Sequence, residues 1–237
     1  MNPKTFVQLA PLRLCLGLFL LLFTLKAQGN EPPATLQIRA MLVGQGSARN
    51  IHLIGEEGFL PLRVSSVQPS QPAQVRAMNP FPIYDEVPES WNSEAPPEPA
   101  ATVSLPPNQT HLLLLAFDDG AQTQYTAIPD DLHAATHRDW RFINTTNTAI
   151  AFQLGTDTAP LLLQPRSQQS HRITTTEQQG AAVTAAARIA GEPTTFYSTY
   201  WPIQANRRAM VLFIQQDEEN IRVHRITEAL VQEEEGN

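Results

Sequence analysis

Two distant stretches of this chain share one pattern, and that repetition limits what the chain can fold into. Residues 199–226, TYWPIQANRRAMVLFIQQDEENIRVHRI, read as an extended entry, a polar turn, an apolar strand over Ala209–Ile214, an acidic turn and a second strand over Ile221–Ile226. Residues 101–128, ATVSLPPNQTHLLLLAFDDGAQTQYTAI, follow the same order. Aligning Asn108 with Asn206 puts Leu112–Phe117 on Met210–Gln215, with acidic turns behind both runs. Earlier in each copy, a shift of 101 residues carries Ile51, Leu53, Leu60 and Leu62 onto Phe152, Leu154, Leu161 and Leu163. Agreement in spacing, turn chemistry and hydrophobicity predicts two copies of one β-unit.

Inside each copy the strands are short and regularly interrupted. Leu36–Arg39 alternates apolar and polar, Ile51–Ile54 follows a glycine turn at Gly44 and Gly46, and Phe59–Val64 follows another at Gly58. Strands of this length with turn signals every 8–12 residues predict a sandwich or barrel. In the second copy, the alanine-rich run Ala181–Ile189 could form a helix. The Gly191-Glu192-Pro193 turn after it instead predicts a hairpin with Thr195–Trp201. The expected fold is therefore all-β: two tandem β-sandwich domains over 30–128 and 140–228, joined by a polar linker at 129–139 that holds one short helical turn. Residues 79–100 of the first domain carry six prolines and five acids. Proline cannot donate to a ladder, so most of this stretch is expected to be an exposed loop. The end of the chain from Glu228 is expected to form a helical turn before an acidic tail at 229–237.

The first 29 residues have the composition of a secretory signal peptide. Lys4 and Arg13 give a positive start, Leu14–Leu25 is twelve residues without a charge, and Ala27-Gln28-Gly29 offers small residues at a cleavage site. A membrane anchor needs about 20 apolar residues, so the expectation is cleavage and export, to the periplasm or beyond the cell, with no transmembrane anchor afterwards. Cleavage removes the only cysteine, Cys15, and both lysines. What remains has neither a thiol nor an amine side chain for nucleophilic or Schiff-base chemistry. Its basic residues, 16 less Lys4, Arg13 and Lys26, are 13 arginines against 23 acids, a balance of −10. A chain so charged is repelled by nucleic acid and by anionic membrane surfaces.

Few residues suggest chemistry. His133 and His137, flanked by Asp130, Asp131 and Asp139, are the candidate metal ligands, because histidines four apart on a helix share a face. The linker lacks the glutamate of an HExxH motif, and a solvated linker is the competing reading. The acids at Asp118-Asp119-Gly120 and Asp217–Asn220 lack the spaced order of a calcium loop and read as turn formers. Tyr197, Thr199 and Trp201 are expected on one face of a strand, with Ser198 and Tyr200 on the other. In the proline-acid loop, Tyr84 and Trp91 are the candidate partner-binding residues. There is no Gly-x-Ser-x-Gly elbow, phosphate loop or dinucleotide fingerprint, and no cofactor is expected.

Taken together, Phe59–Arg63 (FLPLR), Pro80–Tyr84 (PFPIY), Val103–Pro107 (VSLPP), Arg141–Asn144 (RFIN) and Tyr200–Ile203 (YWPI) resemble a group of uncharacterised exported bacterial proteins with a signal peptide and two tandem immunoglobulin-like β-units. The resemblance implies export and an immunoglobulin-like build, and it carries no activity. The function expected is that of a non-enzymatic binding or structural module of the cell envelope, with an unknown protein or envelope component as partner. The alternatives are a periplasmic assembly factor of the two-immunoglobulin-domain chaperone kind, against which the absence of lysine counts, and a metal-dependent enzyme at the linker histidines.

Overall fold

In the computed structural model, the described residues are 35–44, 46–87, 97–118, 122–155, 158–173, 180–217 and 219–230. The signal peptide, Trp91 and the acidic tail from residue 231 lie outside them. The first β-unit contains β1 (Thr35–Val43), β2 (Arg49–Ile54), β3 (Phe59–Val64), β4 (Ala73–Arg76), β5 (Phe81–Ile83), β6 (Ala101–Val103), β7 (His111–Asp118) and β8 (Thr123–Pro129). The second contains β9 (Asp139–Asn144), β10 (Ile150–Leu154), β11 (Leu161–Leu163), β12 (Gln168–Arg172), β13 (Gly180–Ile189), β14 (Glu192–Pro202), β15 (Arg207–Gln215) and β16 (Ile221–Ala229). The chain is all-β, with a single 3₁₀ turn at Leu132–Ala134 among the described residues. No helix of the described residues is long and apolar enough to cross a membrane.

The duplication is visible in the strand order. One sheet of the first unit runs β4-β1-β7-β8, and its counterpart runs β12-β9-β15-β16. In both, the first strand pairs parallel to the penultimate strand while the outer pairs are antiparallel. The other sheet of the second unit runs β11-β10-β13-β14. In the first unit the β2-β3 and β5-β6 ladders are joined by a bridge between His52 and Tyr84, giving the matching order β3-β2-β5-β6.

Register corrects the alignment made from sequence. In β7 the side chains of Leu112, Leu114 and Ala116 enter the core of the first unit, and in β15 those of Ala209, Val211 and Phe213 enter the core of the second. Equivalent positions are therefore 97 apart, so Leu113, and not Leu112, matches Met210. Asn108 and Asn206 do correspond, since both hold positive φ (57° in each) at the turn before the strand. The first unit carries one more residue between that turn and the strand. With a side-chain period of two, a one-residue offset exchanges the faces of the whole strand.

Each core lies between the two sheets of its unit. In the second unit Phe142, Phe152 and Phe213 cluster, with the first two rings stacked at 4.1 Å. Such a pair contributes about 0.5–1.5 kcal/mol beyond its buried area. The proline-acid loop is shorter than expected, because Phe81 and Ile83 are fully buried and make β5. Alternation places Pro82 between them with its side chain outward, so the two apolar residues can reach the core. At the other end, β16 runs on through Glu228 to Ala229 as strand, where a helical turn was expected. Its neighbour β15 pairs with it over the full length, ending at Arg207 opposite Ala229.

The strands β1 and β7 are buried on both faces, which is why β7 reads as an unbroken run, HLLLLAF. Their second face meets the other unit. Met41, Val43, Leu113 and Leu115 form a third apolar cluster with Ile143, Met210, Leu212 and Ile226. The two units thus join back to back through the sheets that contain the parallel pairs.

Candidate functional site

The seam between the units changes character along its length. On β1 its residues are Arg39, Met41 and Val43, and on β7 they are Leu113, Leu115 and Phe117. On β15 they are Arg208, Met210, Leu212 and Ile214, and on β16 Glu228, Ile226, His224 and Arg222. One end is charged and closed, the middle is apolar, and the other end opens into a cleft.

The closed end joins three arginines to three carboxylates. Arg39 donates through Nε to Asp130 at 2.6 Å and through Nη1 to Glu228 at 2.8 Å. Arg208 donates through Nε to Glu228 at 3.0 Å and through Nη1 to Asp131 at 2.6 Å. Arg141 lies 3.3 Å from Asp131 and 3.6 Å from Asp130, and donates to the carbonyl of Pro129 and to Gln168. Arg208 is 1% exposed and Arg141 3%. Burial of this depth would raise the Asp130 and Asp131 carboxyls. The surrounding guanidiniums outweigh it and hold both below the usual carboxylate range. Burial pushes the Arg141 guanidinium down, and the adjacent Arg208 adds to that effect.

This cluster was not foreseen from sequence. The linker acids Asp130 and Asp131, expected from sequence beside the histidines as a metal shell or a solvated linker, instead anchor the seam. The signal is in Arg39 and Arg141, which each stand between apolar neighbours, Ile38 and Ala40 in β1 and Trp140 and Phe142 in β9, where a charge must be paired.

At the open end is a cleft of about 530 Å³. Its apolar lining is Val43, Phe117 and Ile214, its polar rim includes Gln124 and Gln216, and Arg166 and Arg222 supply positive charge. A smaller hollow of about 270 Å³ shares Val43, Ile214 and Arg222 with it and adds Ser66 and His224. Arg222 is exposed and has no hydrogen-bond or ion-pair partner among the described residues. Among the described residues, the guanidinium of Arg166, a residue at φ 53°, donates only to the neutral side chain of Asn147, at 3.1 and 3.2 Å. The acid in the lining, Asp118, is bound to Arg49 at 2.8 Å. Burial, reinforced by Arg222, lowers the His224 pKa, so its imidazole stays neutral at pH 7.

The residues singled out from sequence are scattered. His133 sits on the 3₁₀ turn, packed against His111 with ring centroids 4.4 Å apart and with Nε2 3.0 Å from Gln37 Oε1. His137 is exposed in the following turn. Among the described residues no group of three or more His, Cys, Asp or Glu is placed to hold a metal ion. Tyr84 is buried, edge-on to Phe59 at 5.1 Å, and its backbone pairs with that of His52. Its ring is part of the wall of the first unit, not of its surface. The described ends of the proline-acid loop, 85–87 and 97–100, line a shallow hollow of about 500 Å³ with Tyr84. Trp201 is 5% exposed and Tyr200 50%, as alternation required. Arg225 lies over both Trp140 and Trp201, 5.6 and 5.5 Å from the ring centroids, a cation–π contact that closes the rim of the second core. No protein family matches this sequence, and no curated protein matches it.

Proposed function

We propose that this chain is an exported, non-enzymatic binding module of the cell envelope, built from two immunoglobulin-like β-sandwich units, that takes its partner in the cleft at the open end of the seam. The observation that carries this reading is the pair Arg166 and Arg222, without carboxylate partners among the described residues, beside an apolar lining drawn from both units. Elsewhere on the seam every arginine is matched by an acid. A cation left unpaired next to Phe117 and Ile214 suits a partner segment that presents a carboxylate beside an apolar side chain. The closed end of the seam fixes the geometry of the cleft, which lowers the ordering cost of binding.

The test is capture of partners from envelope extract by the mature chain, beside an Arg222→Glu variant and a variant lacking residues 86–99. A partner lost on Arg222→Glu and retained by the deletion supports the cleft. Loss on the deletion alone moves the contact to the proline-acid loop.

A second reading, an assembly factor that lends a strand edge to a client, is favoured by β14. This eleven-residue strand pairs with β13 and has no second neighbour among the described residues. Pro193, Pro202 and the bulge at Phe196 guard its ends, leaving Tyr197–Trp201 as the stretch able to accept another strand. A partner retained by both variants and displaced by Ser198→Pro supports that reading.

A further inference from the structure

The charged end of the seam repeats itself. In the first unit Arg39 pairs with Leu113, and Leu113 pairs with Ile128, two residues before Asp130. In the second, Arg141 pairs with Met210, and Met210 pairs with Ile226, two residues before Glu228. Since Leu113 and Met210 are equivalent, Arg39 is equivalent to Arg141, and Asp130 to Glu228. The contacts cross over as well. Arg39 reaches its own unit's Asp130 and the other unit's Glu228, and Arg141 approaches the other unit's Asp130 while Glu228 acts on it from its own unit. The apolar middle follows the same rule, with Leu113 and Leu115 answered by Met210 and Leu212. Contacts in which one patch meets its own equivalent define a two-fold, isologous interface.

We propose that the seam is a self-complementary two-fold interface that holds the units together without the covalent linker, so that each unit presents a face fitted to a second copy of such a unit. The linker sets which two units meet, and the faces supply the affinity. Two differences between the units break the symmetry. The position of Arg208 is His111 in the first unit, and Asp131, beside Asp130 just past the end of β8, has Ala229 as its counterpart in the second. Both changes bind the first unit to the second in preference to a copy of itself, since Arg208 needs Glu228 and Asp131 and His111 offers them no second guanidinium.

The experiment uses the whole mature chain with a specific protease site inserted after Ala135, in the linker. After cutting, native mass spectrometry and size exclusion should show one particle with the mass of the uncut chain, containing both fragments, that separates only under denaturant. Fragments that part on cutting in native buffer, folded or unfolded, overturn the proposal. In the cut chain, Leu115→Asp and Leu212→Asp, which occupy equivalent positions facing the seam and not their own cores, should each release the fragments, with the uncut variants keeping their strand content by circular dichroism. Release by only one of the two overturns the two-fold equivalence. The two readings fail separately, because the cleft is judged by Arg222 and partner capture in the uncut chain, where the linker keeps both of its walls together.

Discussion

Arg208 shows how a single side chain can be indispensable without its network adding net stability. Its guanidinium is buried between Glu228 and Asp131, and no other cation can reach both at hydrogen-bond distance. Arg208→Ala leaves buried Glu228 with Arg39 alone and half-exposed Asp131 with Arg141 and Ser170, so the buried cluster of two cations is left facing three carboxylates. The expected loss is about 3–5 kcal/mol, seen as a lower urea midpoint. Asp139 makes a different case at the surface. A bidentate contact with Arg172 and hydrogen bonds from Thr136 take its carboxyl down to about 2. Because the folded-state pKa is depressed, its contribution is complete above the ordinary carboxylate range, about 4, and drains away as pH falls towards 2. An Asp139→Asn variant should be less stable than the parent at pH 6, and the gap should close between about pH 4 and pH 2 in acid titrations of the urea midpoint.

At the scale of strands, most of the fold was legible because alternation and turn chemistry act locally. The hairpin of β13 and β14 could be read from Gly191 and Pro193 against the helical pull of five alanines, and the outward Tyr200 from its place between Thr199 and Trp201. What failed were features set by another strand. The extra residue after Asn108 could not be seen in a run as uniform as LLLLA, where either face is apolar, and register emerged only from which face met which core. The anchoring role of Asp130 and Asp131 failed for the same reason, since Arg208 lies some seventy-seven residues away. Two edits test the β13–β14 edge. A Cβ on Gly180 would sit 2.3 Å from the carbonyl oxygen of Trp201, a backbone atom that cannot yield. Gly180→Ala should therefore destabilise by about 1–3 kcal/mol and loosen amide protection at the start of β13. By contrast, Tyr200 is half exposed on β14, an edge strand among the described residues, and Tyr200→Lys should hold stability within about 0.5 kcal/mol while reducing self-association in light scattering, as a charge on an edge strand does.

Whether the whole molecule behaves as one thing or two depends on the seam. Each unit has its own core, and a chain of two independent cores would unfold in two steps, each reported by its own probes. Here, however, β1 and β7 donate one face to the first core and the other to the seam, and β15 does the same for the second, so loss of either core exposes the apolar cluster shared by Met41, Leu113, Met210 and Leu212. It also leaves the buried arginines of the surviving unit facing water without the acids that the other unit supplied. Damage in one unit should therefore be felt in the other. With Trp91 replaced by Phe, the remaining tryptophans, Trp140 and Trp201, both belong to the core of the second unit. Ile51 is fully buried in the first, and Ile51→Ala should cost about 2–5 kcal/mol. If the seam couples the units, the tryptophan unfolding curve, recorded wholly in the second unit, shifts to lower urea by the same amount as the circular dichroism curve. A tryptophan curve left in place by Ile51→Ala would mean that the two sandwiches melt separately and that the seam is too weak to transmit the loss.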